Sequence, residues 1–140
     1  MGSTTKVLAC AFLLLVVAYA EAEPSAKSAP ARLSTVGAFA FGGVGIAGIT
    51  SSGEKDFRTI LADSSALPQF EQVFAAGNLQ AKAYALVGIR RLNRDRYNEL
   101  SEPLRETTQQ VTIFRGCIMS HEPFSSLLKS IDAGDYDARE

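Results

Sequence analysis

Apolar positions change period several times along this chain, and each change marks an element. Phe39 and Phe41 alternate with Ala38 and Ala40, which predicts a short buried strand. Phe57, Ile60 and Leu61 then fall at helical spacing behind Ser51-Ser52-Gly53-Glu54. That opening puts capping residues and an acid where a helix starts, so residues 53 to 62 form a helix. Ser64 or Ser65 caps the next, with Pro68 in its opening turn and Phe70, Val73 and Phe74 as its stripe. Gly77 suits its C-terminal end, and Asn78 caps a third helix at once.

That third helix, residues 79 to 92, is apolar well beyond one stripe. Tyr84, Leu86, Val87 and Ile89 stand among four small alanines and glycines, so it is expected at the centre. Asn93 caps a fourth carrying Tyr97, Leu100 and Leu104. Pro103 removes a backbone donor and clashes one turn back, so this helix ends or kinks near Ser101. Val111, Thr112, Ile113 and Phe114 read as a second strand, expected to pair with the first because a lone apolar strand is not stable. Ser120 or His121 caps a last helix over 123 to 133, with Phe124, Leu127, Leu128 and Ile131 inward and Gly134 as its stop. The fold class is therefore mainly α with a small two-stranded β element, an α+β arrangement of four to five short helices around one core.

The flanks carry other signals. Lys6 precedes an apolar run from Val7 to Ala20, and Ala20-Glu21-Ala22 supplies small residues two apart. This is the layout of a signal peptide over residues 1–22, so the chain is expected to be exported, secreted or periplasmic. Residues 23–35 hold Pro24, Pro30 and several serines without apolar periodicity, which predicts a flexible linker whose removal leaves stability unchanged. Residues 36–134 form a single globular domain, and 135–140 a polar, acidic tail.

Cleavage after Ala22 removes one basic and one acidic residue, Lys6 and Glu21, so the net charge stays at −1. A near-neutral chain is a poor nucleic-acid binder. Cys10 leaves with the leader, making Cys117 the only mature cysteine, so no intrachain disulfide forms and the apolar core must suffice.

Four patterns invite a chemical reading. Gly43-Val44-Gly45-Ile46-Ala47-Gly48 matches a dinucleotide-binding fingerprint, but a turn follows it instead of a helix and no βαβ series accompanies it. It reads as a glycine-rich strand and turn. The segment 37–49 is also the basis of an alternative, a membrane-active or toxin-like protein. Arg90, Arg91, Arg94 and Arg96 crowd one helix joint, the candidate surface for a protein partner. Cys117 and His121 are the candidate nucleophile and base of a second alternative, a thiol-dependent enzyme or redox protein. The neighbours Gly116, Ile118 and Met119 favour a buried, structural thiol. No cofactor is indicated, and no metal site, since one cysteine and one histidine fall short of the usual ligand count.

Residues 65–92, with Gly77-Asn78 joining two helices and Ala81-Lys82-Ala83-Tyr84-Ala85-Leu86 opening the second, resemble one unit of a HEAT-type helical repeat. Phe41-Gly42-Gly43-Val44-Gly45, Tyr84-Ala85-Leu86-Val87-Gly88 and Gly116-Cys117-Ile118 resemble small exported bacterial proteins of unassigned function. The resemblance implies one exported domain and no activity. The functional expectation is a non-enzymatic protein-interaction or structural module.

Overall fold

A computed structural model describes residues 27–137. The segment expected to be a signal peptide and the first part of the expected linker lie outside these residues, as do the last three positions of the tail. The described residues form an α+β fold in the order α1 (Ala29–Leu33), β1 (Phe39–Val44), β2 (Ile49–Thr50), α2 (Ser52–Leu61), α3 (Ala66–Ala76), α4 (Leu79–Leu92), α5 (Arg94–Ser101), a 3-10 turn (Glu102–Leu104), β3 (Gln110–Gly116), β4 (Ile118–Pro123) and α6 (Phe124–Ala133).

The two expected strands do pair. Phe39 and Ala40 lie beside Ile113 and Phe114 in a parallel ladder. The sheet nevertheless has four strands, in the order β2-β1-β3-β4, where two were expected. The additions are antiparallel hairpin partners at each side. β2 is two residues long, pairing Gly43 with Thr50 and Val44 with Ile49. β4 pairs along its whole length with β3, from Arg115–Ile118 to Gln110–Pro123. Ser120 and His121 therefore belong to a strand and cap no helix; α6 begins directly after Pro123, without a side-chain cap.

Most other boundaries follow their caps. Ser51, Asn78 and Asn93 accept hydrogen bonds from the backbone N–H groups of Glu54, Ala81 and Arg96. The fourth helix ends at Ser101, where Pro103 turns the chain into the 3-10 segment. Gly134 closes α6 in the left-handed conformation. Gly77 ends α3 with extended backbone instead, and its role is space: a Cβ there would run into the Val73 carbonyl and the Ala81 methyl.

Two flanking segments join the fold against expectation. Residues 29–33 of the supposed linker form α1, and Leu33 is fully buried. Arg32 pairs with Asp56 on α2, and Asn78 donates to the carbonyls of Ser34 and Val36. At the other end Tyr136 is buried against Phe39 and Phe41. Arg91 donates to its carbonyl. One inward side chain per segment leaves no periodic trace, yet it suffices to dock a short stretch.

β1 lies against α4 at the centre. Phe39, Phe41, Phe57, Phe70 and Tyr84 make a continuous series of ring contacts with centroids 4.8–5.3 Å apart. α4 is buried from Ala83 through Ile89, and Gly88 has no side chain because the Phe70 ring fills that space. Beyond the two residues covered by β2, the outer edge of β1 has no strand beside it among the described residues. Tyr84 takes that place: its hydroxyl donates to the Ala40 carbonyl at 2.7 Å and accepts from the Ala40 N–H at 2.9 Å. Ser51 Oγ donates to the same carbonyl, and the Glu54 carboxylate accepts from the Gly42 N–H at 2.9 Å.

Leu33→Ala tests whether α1 is part of the cooperative unit. It should cost about 2–5 kcal/mol, the usual range for a buried leucine truncation, seen as a lower urea midpoint with an unchanged slope. A variant as stable as the parent would return residues 29–33 to the status of a linker.

Candidate functional site

The parallel pairing of β1 and β3 carries both hairpin turns to the same end of the sheet, and Gly45 N–H donates to the Gly116 carbonyl to join them. Each turn rests on glycine. Gly45 and Gly48 have positive φ in the β1–β2 connection, and Gly116 has φ 58° at the first position of the two-residue β3–β4 loop. Glycine there matches a type II′ turn, whose twist fits a hairpin.

The tips at this end of the molecule are apolar, with Arg115 at the base of the β3–β4 loop paired with Glu122 at 2.8 Å. Ile46 is fully exposed, and Ile49, Ile118 and Met119 are more than half exposed. No charged residue occurs from Gly42 to Gly53 or from Gly116 to Ser120. Beside the tips, on the sheet face turned away from Phe39, lies a hollow of about 320 Å³. Strand alternation places Ala40 and its partner Phe114 on that face. Val36, Ala38, Val44 and Ile49 complete the apolar walls, with Ser51 to Gly53 closing one end. The fingerprint-like glycines thus form a hairpin turn, and no helix opens at Gly48 to receive a phosphate.

Cys117 sits at the tip of the β3–β4 loop and is exposed, which corrects the expectation of a buried thiol. Its neighbours are apolar because the whole tip is, and the two-residue loop lifts them out of the core. His121 is exposed too and lies opposite Thr112, with Nδ1 3.2 Å from the Thr112 hydroxyl. The Thr112–His121 pair is three steps along the ladder from the Arg115–Ile118 pair that closes the loop, about 10 Å. The structure does not bring this thiol and imidazole together as nucleophile and base.

Nor do the four arginines make one basic face. Arg90 and Arg91 turn inward onto the C-terminal segment. Arg90 pairs with Asp137 and donates to the Asp132 carbonyl at 3.0 Å. The Arg91 guanidinium lies 5.4 Å from the centre of the Phe57 ring. Arg96 bridges Glu71 and Glu99. Arg94 is exposed and makes no ion pair among the described residues.

A polar cluster the sequence did not suggest gathers at Asp132. Tyr97 donates to one carboxylate oxygen at 2.6 Å, and Arg105 to the other at 2.7 Å. Partial burial pushes the Asp132 carboxyl up, but the hydrogen bonds from Arg105 and Tyr97 outweigh it and hold it below the usual carboxylate range. Burial and the adjacent carboxylate raise the Tyr97 hydroxyl. These groups come from α5, the 3-10 turn and α6, so no local spacing announces them. With both oxygens engaged by a cation and a phenol, and with Glu102 on the same Arg105 guanidinium at 2.9 Å, Asp132 ties elements together. Among the described residues no group of three or more histidine, cysteine, aspartate or glutamate side chains is placed to hold a metal ion. No described helix is long and apolar enough to cross a membrane.

Two outcomes follow. Cys117 in the native protein should react with a small alkylating reagent at nearly the unfolded-chain rate, and marked protection would contradict the exposed tip. Asp132→Asn should cost about 1 kcal/mol at neutral pH, a value discounted for partial exposure. A depressed carboxyl stabilises above its unfolded value near 3.9 and loses that contribution as pH falls through its lower folded value. The gap between parent and variant in urea midpoints should therefore narrow as pH falls below about 4; a constant gap would remove the ionic contribution.

Comparison with protein-family models, with curated proteins and with solved structures finds no match to this chain.

Proposed function

We propose that this chain is an exported, non-enzymatic interaction module that engages a partner protein through the apolar hairpin tips of its sheet. The observation carrying this reading is that Ile46, Ile49, Ile118 and Met119 are all exposed on two hairpins joined by the Gly45–Gly116 hydrogen bond. A single surface hydrophobe needs no explanation, but four on two adjoining hairpin ends invite one. The turns that present them are fixed by glycines and by the Gly45–Gly116 hydrogen bond, so little conformational entropy is lost on docking. The tips carry no charge and Arg115 beside Ile118 is paired with Glu122, so the matching surface is a largely apolar patch of another protein. This replaces the arginine joint as the partner surface, since three of those four arginines hold the module's own chain.

A photo-crosslinker at position 46 or 118, with position 129 on the helical side as control, tests the reading in the source organism's envelope fraction. The expected result is one shared adduct from 46 and 118, absent from 129 and lost when Met119→Asp puts a charge on the tip. Equal adducts from all three positions, or none from the tips, would sink it.

A further inference from the structure

The hollow behind the tips has an origin in the sequence. A sheet face is ordinarily filled by branched or aromatic side chains, but here Gly37, Ala38 and Ala40 stand along its floor. At Gly37 a Cβ would meet nothing within 4 Å, and its backbone is outside the left-handed region, so neither sterics nor conformation calls for glycine. Gly53 is different, since a Cβ there would strike the Tyr84 ring; it serves the packing of α4. The space over 37–40 is therefore not a by-product of a tight contact. Val44, Ile49 and Phe114 wall it, and no lining residue is charged.

We infer that this hollow binds one neutral, single-chain aliphatic molecule, a class of ligand distinct from the protein partner. Size and charge set the class. A closed cavity of about 150 Å³ holds a six-carbon ring, so about 320 Å³ has room for a chain of about ten to twelve carbons. A charged group inside would be left without a counter-charge. The hydrogen-bonding side chains on the wall are Ser51, whose hydroxyl already serves Ala40 and Glu54, and Ser52, which is exposed at the rim. That arrangement fits a chain buried tail first with one hydroxyl-like end at Ser52.

Calorimetric titration with hexanol, octanol and decanol, each monomeric in solution, measures this on residues 23–140. Affinity should rise about fourfold per added methylene, and amide shifts should cluster at Val36, Ala38 and Val44. Ala38→Phe fills the floor and should weaken decanol binding at least about tenfold, in line with the loss of several buried methylenes. Gly37→Leu, open to substitution on steric grounds, gives the same result should the phenylalanine variant fail to fold. The hollow as a ligand site is overturned by no saturable binding, by affinity independent of chain length, by filled variants that bind as the parent does, or by association with neutral phosphatidylcholine vesicles alone.

Discussion

The unpaired edge of β1 is the constraint on which the rest of the structure turns. A central strand buried at Ala40 cannot leave its N–H and C=O without partners, since each orphaned group costs about 1–3 kcal/mol. β2 covers only Gly43 and Val44. The remaining edge is closed by side chains: the Tyr84 hydroxyl with both Ala40 groups, Ser51 with the same carbonyl, and Glu54 with the Gly42 N–H. One phenol thereby acts as a substitute for a neighbouring strand. Its burial drives the hydroxyl up to about 12, so it stays protonated and able to donate at any physiological pH.

Several sequence features become necessary once that edge is fixed. Tyr84 reaches β1 only because Gly53 has no Cβ in its path. Ser51 both caps α2 and touches β1, which sets where the helix begins. Glu54 is almost fully buried, and a buried carboxylate needs a counter-charge, supplied one turn on by Arg58 at 2.8 Å. The edge thus ties α2 and α4 to the sheet through named atoms. It also directs the large side chains of β1 toward the helices, leaving alanines and glycines on the opposite face. The hollow belongs to that uncovered side.

Much of this was legible in the sequence where a pattern repeats. The stripes of α2 to α6, the capping residues Ser51, Asn78 and Asn93, the stop at Ser101 and the pairing of the Phe39 and Ile113 segments all follow from periodicity and cap chemistry. What escaped was carried by single residues. α1 is five residues long and buries Leu33 alone, and the C-terminal segment buries Tyr136 alone. β4, Ile-Met-Ser-His-Glu-Pro, alternates too weakly to announce a strand; its pairing is set by the Gly116-Cys117 loop. The same loop explains the misplaced thiol. Apolar neighbours imply burial inside an element but exposure at the tip of a tight turn.

The arginine joint misled for a related reason. Charge crowding along the chain says nothing about where the opposite charges stand. Arg90, Arg91 and Arg96 meet partners 25 to 47 positions away: Glu71 on α3, the Asp132 carbonyl, and the segment ending at Asp137. Arg105 reaches Asp132 from the 3-10 side, and Tyr97 from α5. Basic and acidic groups nearly cancel over the whole chain, at a net charge of −1, and this pairing shows how part of that balance is spent. Exposed pairs of this kind contribute little stability one by one, but here they converge on one short segment and fix its register. The cations secure Tyr136 beneath the sheet, against the two phenylalanines of β1 whose outer edge Tyr84 closes. Charge pairing and edge closure therefore act on the same stretch of β1, Tyr136 against Phe39 and Phe41 and Tyr84 against Ala40 between them, and the apolar hairpin tips lie beyond both.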